Sequence, residues 1–320
     1  MILVTGGAGF IGSHVVDKLA AAGLRVVVAD RLRRDGKWRN LAAARLHDLI
    51  RPEALGDWLT THRGDVAAVI HMAAIATTTE PDVDRYVASN IRLTLDLWEW
   101  CAANRTRFIY ASSAATYGDG ARGFADDENP AALAELRPLN PYGWSKHVVD
   151  QRIIDDAARR RPIPPQWAGL KFFNVYGAHE AHKGAMQSMV AKLVPVVCAG
   201  EPVTLFRSHN PQYADGGQLR DFVDVRDCVA VVEWLLRNPS VSGLYNVGTG
   251  TARSFLDLAH AIYARLGAEP DIRFVDTPPA LRAQYQYFTR ADIAKLRAAG
   301  VTAPFHTLES GVADYINSLC

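Results

Sequence analysis

Thr5-Gly6-Gly7-Ala8-Gly9-Phe10-Ile11-Gly12, entered directly from the apolar run Ile2 to Val4, is the stretch whose reading decides the fold. Glycines at 6, 9 and 12 allow a tight turn, a close backbone approach to a bound pyrophosphate and tight packing of the next helix on the strand. The helix that follows presents free N–H groups and the positive end of its dipole to an anion. A second apolar run, Arg25 to Ala29, ends at Asp30, at about the ~20-residue interval where a carboxylate meets the adenosine ribose. Asp30 alone favours NAD. Arg31, Arg33, Arg34 and Lys37 follow it, and such groups pair with a 2′-phosphate, so the residues leave NAD and NADP both open.

Outward from that turn, the first half alternates β-branched runs with segments of helical spacing. Strands are expected at Ile2 to Val4, Arg25 to Ala29, Ala68 to His71, Phe108 to Ala111 and Leu170 to Phe173, and helices at His14 to Ala22, Ile91 to Asn104 and Gly143 to Arg160. That order specifies an α/β fold, a doubly wound Rossmann-type parallel sheet. Beyond Gly177 the alternation stops. Ser208 to Leu219 reads as a long loop, Leu244 to Val247 as a strand returning to the sheet, and Ser254 to Leu266 and Leu308 to Leu319 as helices. The expected division is a dinucleotide domain at 1–176 plus about 220–248, with a smaller interleaved substrate-binding lobe at about 177–219 plus 249–320.

The 320 residues suit two lobes and hence a cleft, and 49% hydrophobic with 22% charged residues is ordinary globular composition. A net charge of +1 gives no electrostatic reason for a nucleic-acid or membrane partner. The four cysteines, Cys101, Cys198, Cys228 and Cys320, stand in no metal-ligand spacing, so no metal site and a reducing compartment are expected. With a strand beginning at Ile2 and no apolar stretch long enough to cross a bilayer, the expected location is the cytoplasm.

Tyr142-Gly-Trp-Ser-Lys146 places a phenol and an ammonium on one face of a helix. A cation held there stabilises the phenolate and lowers the phenol pKa from about 10, making a usable base. On its own the pattern is common on helix surfaces. Here the strand ending Tyr110-Ala111-Ser112-Ser113 brings hydroxyls to the carboxyl edge of the sheet, where open α/β folds bind ligands, completing a Ser, Tyr and Lys set suited to hydride chemistry at an alcohol.

The stretches TGGAGFIGSH at 5–14, SSAATYG at 112–118, PYGWSK at 141–146 and FNVYG at 173–177 resemble the extended short-chain dehydrogenases, whose glycine spacing is also the one found here. His182-Lys183-Gly184-Ala185-Met186, Arg220 to Val223, Tyr285 to Thr289 and Leu296 to Gly300 are similar to the corresponding blocks of ADP-glyceromanno-heptose 6-epimerases. That resemblance implies a cytoplasmic enzyme of lipopolysaccharide precursor synthesis. It would invert C6″ of an ADP-linked heptose with tightly held NADP, the alcohol being oxidised, the carbonyl turning and the hydride returning to its other face. It further implies a closed homo-oligomer, a pentamer in this family. By the same resemblance Tyr142 and Lys183 are the two bases, Ser113 holds the reacting oxygen and Lys146 binds the nicotinamide ribose. Gly6, Gly9, Phe10, Ile11, Gly12, Asp30, Arg31, Lys37, Met72, Ala73, Ala74, Asn90, Val175, Lys146 and Lys183 match cofactor positions, and Asn174, Ala185, Lys192, Phe206, Arg220 and Tyr285 substrate positions. To act as a base Lys183 must lose its proton, which calls for burial or a nearby cation. Ala185, Lys192 and Arg31 replace serine, histidine and asparagine of enterobacterial-type members, the 208–219 loop is longer, and only Arg51 stands near the family's third phosphate-binding cation.

Two other functions stay compatible with parts of this reading. Another nucleotide-sugar epimerase or dehydratase, such as a UDP-hexose 4-epimerase, shares the cofactor half. A non-catalytic dinucleotide sensor shares the fold, although the intact Ser113, Tyr142 and Lys146 speak against it.

Overall fold

The computed structural model describes residues 1–320 apart from Thr79, Ala283, Gln284 and Cys320, and apart from the side chains of Ala280 and Leu281. Short runs of Val, Ile and Leu that are buried on both faces form the strands of a parallel sheet, as expected where helices cover both sides. In chain order these are β1 (Ile2–Thr5), β2 (Val26–Ala29), β3 (Asp48–Ile50), β4 (Ala68–His71), β5 (Arg107–Ser113) and β6 (Trp167–Phe172). Four further strands, β7 (Asn174–Tyr176), β8 (Val203–Phe206), β9 (Leu219–Asp224) and β10 (Gly243–Val247), precede β11 (Ala252–Ser254) and β12 (Ile272–Val275). The large sheet runs β10-β6-β5-β4-β1-β2-β3, so the strand order reverses between β1 and β4 and opens a crevice at their carboxyl ends.

β3 falls outside the expected strands. It is a three-residue edge strand whose Asp48 and Leu49 are exposed, so it carries no apolar pattern to read. β10 does return to the large sheet, alongside β6. β9 does not: it pairs in parallel with β7 and antiparallel with β11 in a separate three-stranded sheet, while β8 and β12 form a two-stranded one.

One apolar layer, with Trp98, Phe108, Tyr110, Ile153 and Trp167, lies on one face of the large sheet, and Val16, Leu19, Val28, Ile70 and Val231 build the layer on the other. A third core, with Tyr176, Val190, Leu205, Leu258 and Val312, joins the helices Met189–Cys198, Phe255–Leu266 and Leu308–Asn317 to β7, β8 and β9. Among the described residues no helix is long and apolar enough to cross a membrane. Cys101 and Cys228 are buried thiols, Cys198 is an exposed one, and Cys320 lies outside the described residues.

Candidate active site

The glycine turn lies at the crevice. Gly6 has φ +68°, and a Cβ there would sit 2.5 Å from the Ala73 nitrogen; one on Gly12 would sit 2.1 Å from the Gly6 carbonyl oxygen. Only hydrogen fits at either place. Gly9 starts the helix Phe10–Ala21 without a side-chain cap, which leaves the N–H groups of the first turn free for an anion. Met72, Ala73 and Ala74 follow the end of β4, where the chain passes closest to Gly6.

Asp30 directly follows β2, its Oδ2 accepting the Ala8 N–H at 2.9 Å and its Oδ1 pairing with Lys37 Nζ at 2.8 Å. A cavity of about 490 Å³ opens beside it, walled by Asp30, Arg31, Arg33, Arg51 and Glu53 over Leu49 and Ile50. Arg31 is paired with Glu53 at 2.6 Å. A backbone that glycine alone permits, an uncapped helix end and a charged adenosine-sized cavity are what a dinucleotide needs, so the residues fit that cofactor.

Asn90 lies in a π-helical stretch, Val87–Arg92, a form that concentrates at functional sites. Fully buried, it accepts the Ile75 N–H at 2.8 Å and donates to the Ser145 hydroxyl at 3.0 Å. Ser145 donates in turn to the Tyr142 carbonyl at 2.7 Å, so Asn90 ties the end of the crevice to the YxxxK helix.

That helix, Pro141–Ala158, begins two residues earlier than its periodicity suggested. Asn140 caps it by accepting the Gly143 N–H at 2.8 Å, and Pro141 supplies the preset φ of a first turn. A Cβ on Gly143 would lie 2.6 Å from the Ala115 carbonyl, so its absence lets Tyr142 reach the end of β5. There the Ser113 hydroxyl acts on the Tyr142 phenol while its oxygen accepts the Ala115 N–H at 3.1 Å, whereas Ser112 points away and donates to the buried Asp150 at 2.7 Å. The pair of serines is thus divided into one that faces the phenol and one that faces the core.

The acidity of the pair differs from the expectation. Burial pushes the Tyr142 phenol above its ordinary value, with only the Ser113 hydroxyl pulling it back. Lys146, 2% exposed, donates to the Ala111 carbonyl at 2.8 Å and is brought down to about 8 by burial, against the pull of Asp150. The cation is therefore spent on the strand carbonyl and does not lower the phenol as expected.

Lys183 also sits in surroundings other than those expected for a base. Its ammonium pairs at 3.0 Å with Glu180, which is 2% exposed, and lies 4.6 Å from the Phe10 ring centre. Glu180 also accepts the Ser188 N–H at 2.7 Å, so Lys183 is held by a carboxylate where burial or a cation was anticipated. Val175 and the exposed Asn174 lie on β7, with Thr289 donating to Asn174 Oδ1 at 3.5 Å.

Phe206, Arg220 and Tyr285 come together: the Arg220 guanidinium lies 5.5 Å from each of the Phe255 and Tyr285 rings, and Phe206 meets Tyr285 edge-on at 6.3 Å. Ala185 and Lys192 are exposed, on the turn Ala181–Met186 and the helix Met189–Cys198.

Sequence reasoning missed the support behind this shelf. Fully buried Asp150 and Lys171 pair at 2.6 Å, Tyr110 donates to Asp150 at 2.9 Å, and Lys171 donates to Thr116 at 2.8 Å. The signal was a lysine inside the apolar strand Trp167–Phe172, where an unpaired charge is not tolerated.

The chain matches the model of the NAD dependent epimerase/dehydratase family over residues 2–248. It is 46% identical, over 99% of its own length and 97% of the relative's, to an ADP-L-glycero-D-manno-heptose-6-epimerase of Nitratidesulfovibrio vulgaris. Among solved structures, the ADP-L-glycero-D-manno-heptose-6-epimerase of Helicobacter pylori superposes with a TM-score of 0.80 at 28% identity, covering 99% of this chain and 95% of that one. A UDP-glucuronic acid 4-epimerase from Bacillus cereus, in complex with UDP-glucuronic acid and NAD, superposes with a TM-score of 0.77 at 26% identity, covering 100% and 99%.

Proposed function

Because this chain belongs to the NAD-dependent epimerase/dehydratase family, and is an isomerase that uses a nicotinamide dinucleotide, we propose that it converts ADP-D-glycero-D-manno-heptose to ADP-L-glycero-D-manno-heptose. The observation that carries the proposal is the near-full-length likeness to heptose 6-epimerases combined with Ser113, Tyr142 and Lys146 gathered at the carboxyl edge of β5.

The bound nicotinamide supplies the acceptor, and then the donor, of one hydride. C6″ is a secondary alcohol carbon, so oxidation there would give a ketone, with one side-chain base taking the hydroxyl proton. Once the ketone had turned, reduction on its opposite face would restore the alcohol, the oxygen recovering a proton from a second side chain, with no net gain or loss of atoms. Tyr142 is one of these groups, with Ser113 holding the reacting oxygen beside it. Lys183 is the other, and Glu180 must release its ammonium for it to take part. Lys146, seated between Ala111 and the crevice, orients the nicotinamide ribose. Asn174, Ala185, Lys192, Phe206, Arg220 and Tyr285 receive the ADP-sugar, Arg220 facing its diphosphate.

For the cofactor we propose NADP. What supports this is the cavity lined by Arg31, Arg33 and Arg51, with Lys37 already neutralising Asp30. We further propose that residues 1–176 with about 220–248 serve the dinucleotide and about 177–219 with 249–320 the substrate, in a cytoplasmic homo-oligomer that supplies a lipopolysaccharide precursor.

The decisive test offers ADP-D-glycero-D-manno-heptose and UDP-galactose separately to the purified protein; turnover of UDP-galactose alone would sink the assignment. Tyr142→Phe is expected to lower turnover at least about a hundredfold while leaving the dinucleotide bound. No deuterium from solvent should reach C6″, because its hydrogen travels as hydride.

A further inference from the structure

We infer that His179 is a positioning residue for Lys183: clamped against the helix Phe10–Ala21 on a glycine-like backbone, it seats Glu180 beneath the lysine; this rests on the two-base reading above. His179 has φ +67°. The other described non-glycine residues with positive φ, Arg33, Arg105 and Arg160, are exposed and lie in turns, whereas His179 is half-buried. Glycine takes this conformation freely, so a histidine stays in it only because its contacts hold it there, and strain of this kind gathers at functional sites.

The clamp is built by one face of the helix, on which Phe10, Ser13, His14 and Asp17 recur at helical spacing. The imidazole of His179 stacks on that of His14, with centroids 4.4 Å and planes 19° apart. The Ser13 hydroxyl donates to the Phe10 carbonyl at 3.0 Å and so accepts from His179 Nδ1, at 2.9 Å. His14 Nε2 donates to the Ala178 carbonyl at 3.0 Å, and the Asn40 amide donates to the carbonyls of Ala8 and His179 at 3.0 and 3.2 Å. Burial holds both imidazoles below their ordinary pKa, so the stacked rings are uncharged at neutral pH and do not repel. Ring face, ring nitrogen and carbonyl of His179 are thus all held by segments around the glycine turn.

Glu180 comes next in the chain, its side chain 1% exposed. Its Oε1 accepts the Gly177 N–H at 3.3 Å, and its Oε2 accepts both the Ser188 N–H at 2.7 Å and the Lys183 ammonium at 3.0 Å. The Lys183 N–H in turn donates to the Glu180 carbonyl at 2.9 Å. The place of the ammonium is therefore set by Glu180, and that of Glu180 by the clamped residue before it. A base displaced by about 1 Å loses much of its rate, so the clamp bears on turnover without touching the substrate.

Measured on the dinucleotide-loaded protein with ADP-D-glycero-D-manno-heptose, His179→Gly is expected to lower kcat at least about tenfold while KM changes less than about twofold. Glycine keeps the backbone, so only the clamp is lost. Amide exchange at Lys183 and Ser188, whose N–H groups both bond to Glu180, should quicken in the same variant. In a Lys183→Met background, His179→Gly should leave the residual turnover as it is, because it acts through the lysine. An unchanged kcat, or an equal fall in that background, would overturn the proposal. Should Lys183→Met itself turn over at the wild-type rate, the two-base reading fails; quicker exchange at Lys183 and Ser188 in His179→Gly would then uphold the seating of the lysine, and unchanged exchange would overturn it.

Discussion

At Asp150 a single carboxylate holds three groups that the site depends on: the Tyr110 phenol, the Ser112 hydroxyl and the Lys171 ammonium, all inside the protein. Removing it leaves a fully buried cation without a counter-charge. Asp150→Ala should therefore cost about 3–5 kcal/mol in urea denaturation, whereas the double variant Asp150→Leu with Lys171→Met should recover most of that loss. His71 bears on pH. It is buried between Thr5 Oγ1, at 2.6 Å, and Thr94 Oγ1, at 2.8 Å, and desolvation, with Lys146 adding repulsion, brings it from 6.5 down to about 3. Between those values the unfolded chain binds a proton that the folded chain refuses. Stability is thus fully present above 6.5 and falls as pH drops toward about 3, by a total on the order of 4 kcal/mol from this group. Acid titration of unfolding should show that slope, and it should flatten in His71→Asn; an unchanged slope would assign the acid sensitivity elsewhere.

Among the elements, the helix Phe10–Ala21 depends on a turn with no room for side chains. Gly12→Ala drives a methyl into the Gly6 carbonyl, so dinucleotide affinity should fall at least about tenfold and stability by about 1–3 kcal/mol, read by calorimetric titration and thermal melting. How legible each element was follows from how locally it is encoded. Gly6, Gly9 and Gly12 announce their turn because the backbone itself demands them, and β1, β2 and β4 are readable because burial on both faces leaves three or four apolar residues in a row. β3 was illegible, since an exposed edge strand of three residues has no pattern. The π-helical turn at Val87–Arg92 was equally hidden, because it differs from an α-helix by one residue's slip in hydrogen bonding. Within the site, the Tyr142 and Lys146 spacing was visible. That Lys146 would turn to the Ala111 carbonyl depends on a partner brought close only by folding, whereas Glu180 stands three residues before Lys183 and their pairing rests on the local turn.

For the molecule as a whole, Asp221 joins the small sheet that contains β9 to the end of the large one. Wholly buried, it accepts N–H groups from Thr249 at 2.7 Å, Gly250 at 2.9 Å and Ala291 at 2.9 Å, drawing the end of β10 and the C-terminal segment onto β9. Asp221→Ala strands those three donors. We expect several kcal/mol of destabilisation, with faster hydrogen exchange at Thr249, Gly250 and Ala291 before the large sheet itself opens. A uniform loss of protection across the sheet would instead mean that the large and small sheets unfold as one. A second link lies at Lys183, whose ammonium rests on the ring of Phe10, the first residue of the helix that follows the glycine turn. One residue thus belongs to the seat of the dinucleotide and to the berth of the lysine, so the chain carries its own occupancy gauge: loading the dinucleotide should alter how readily an amine-directed label reaches Lys183.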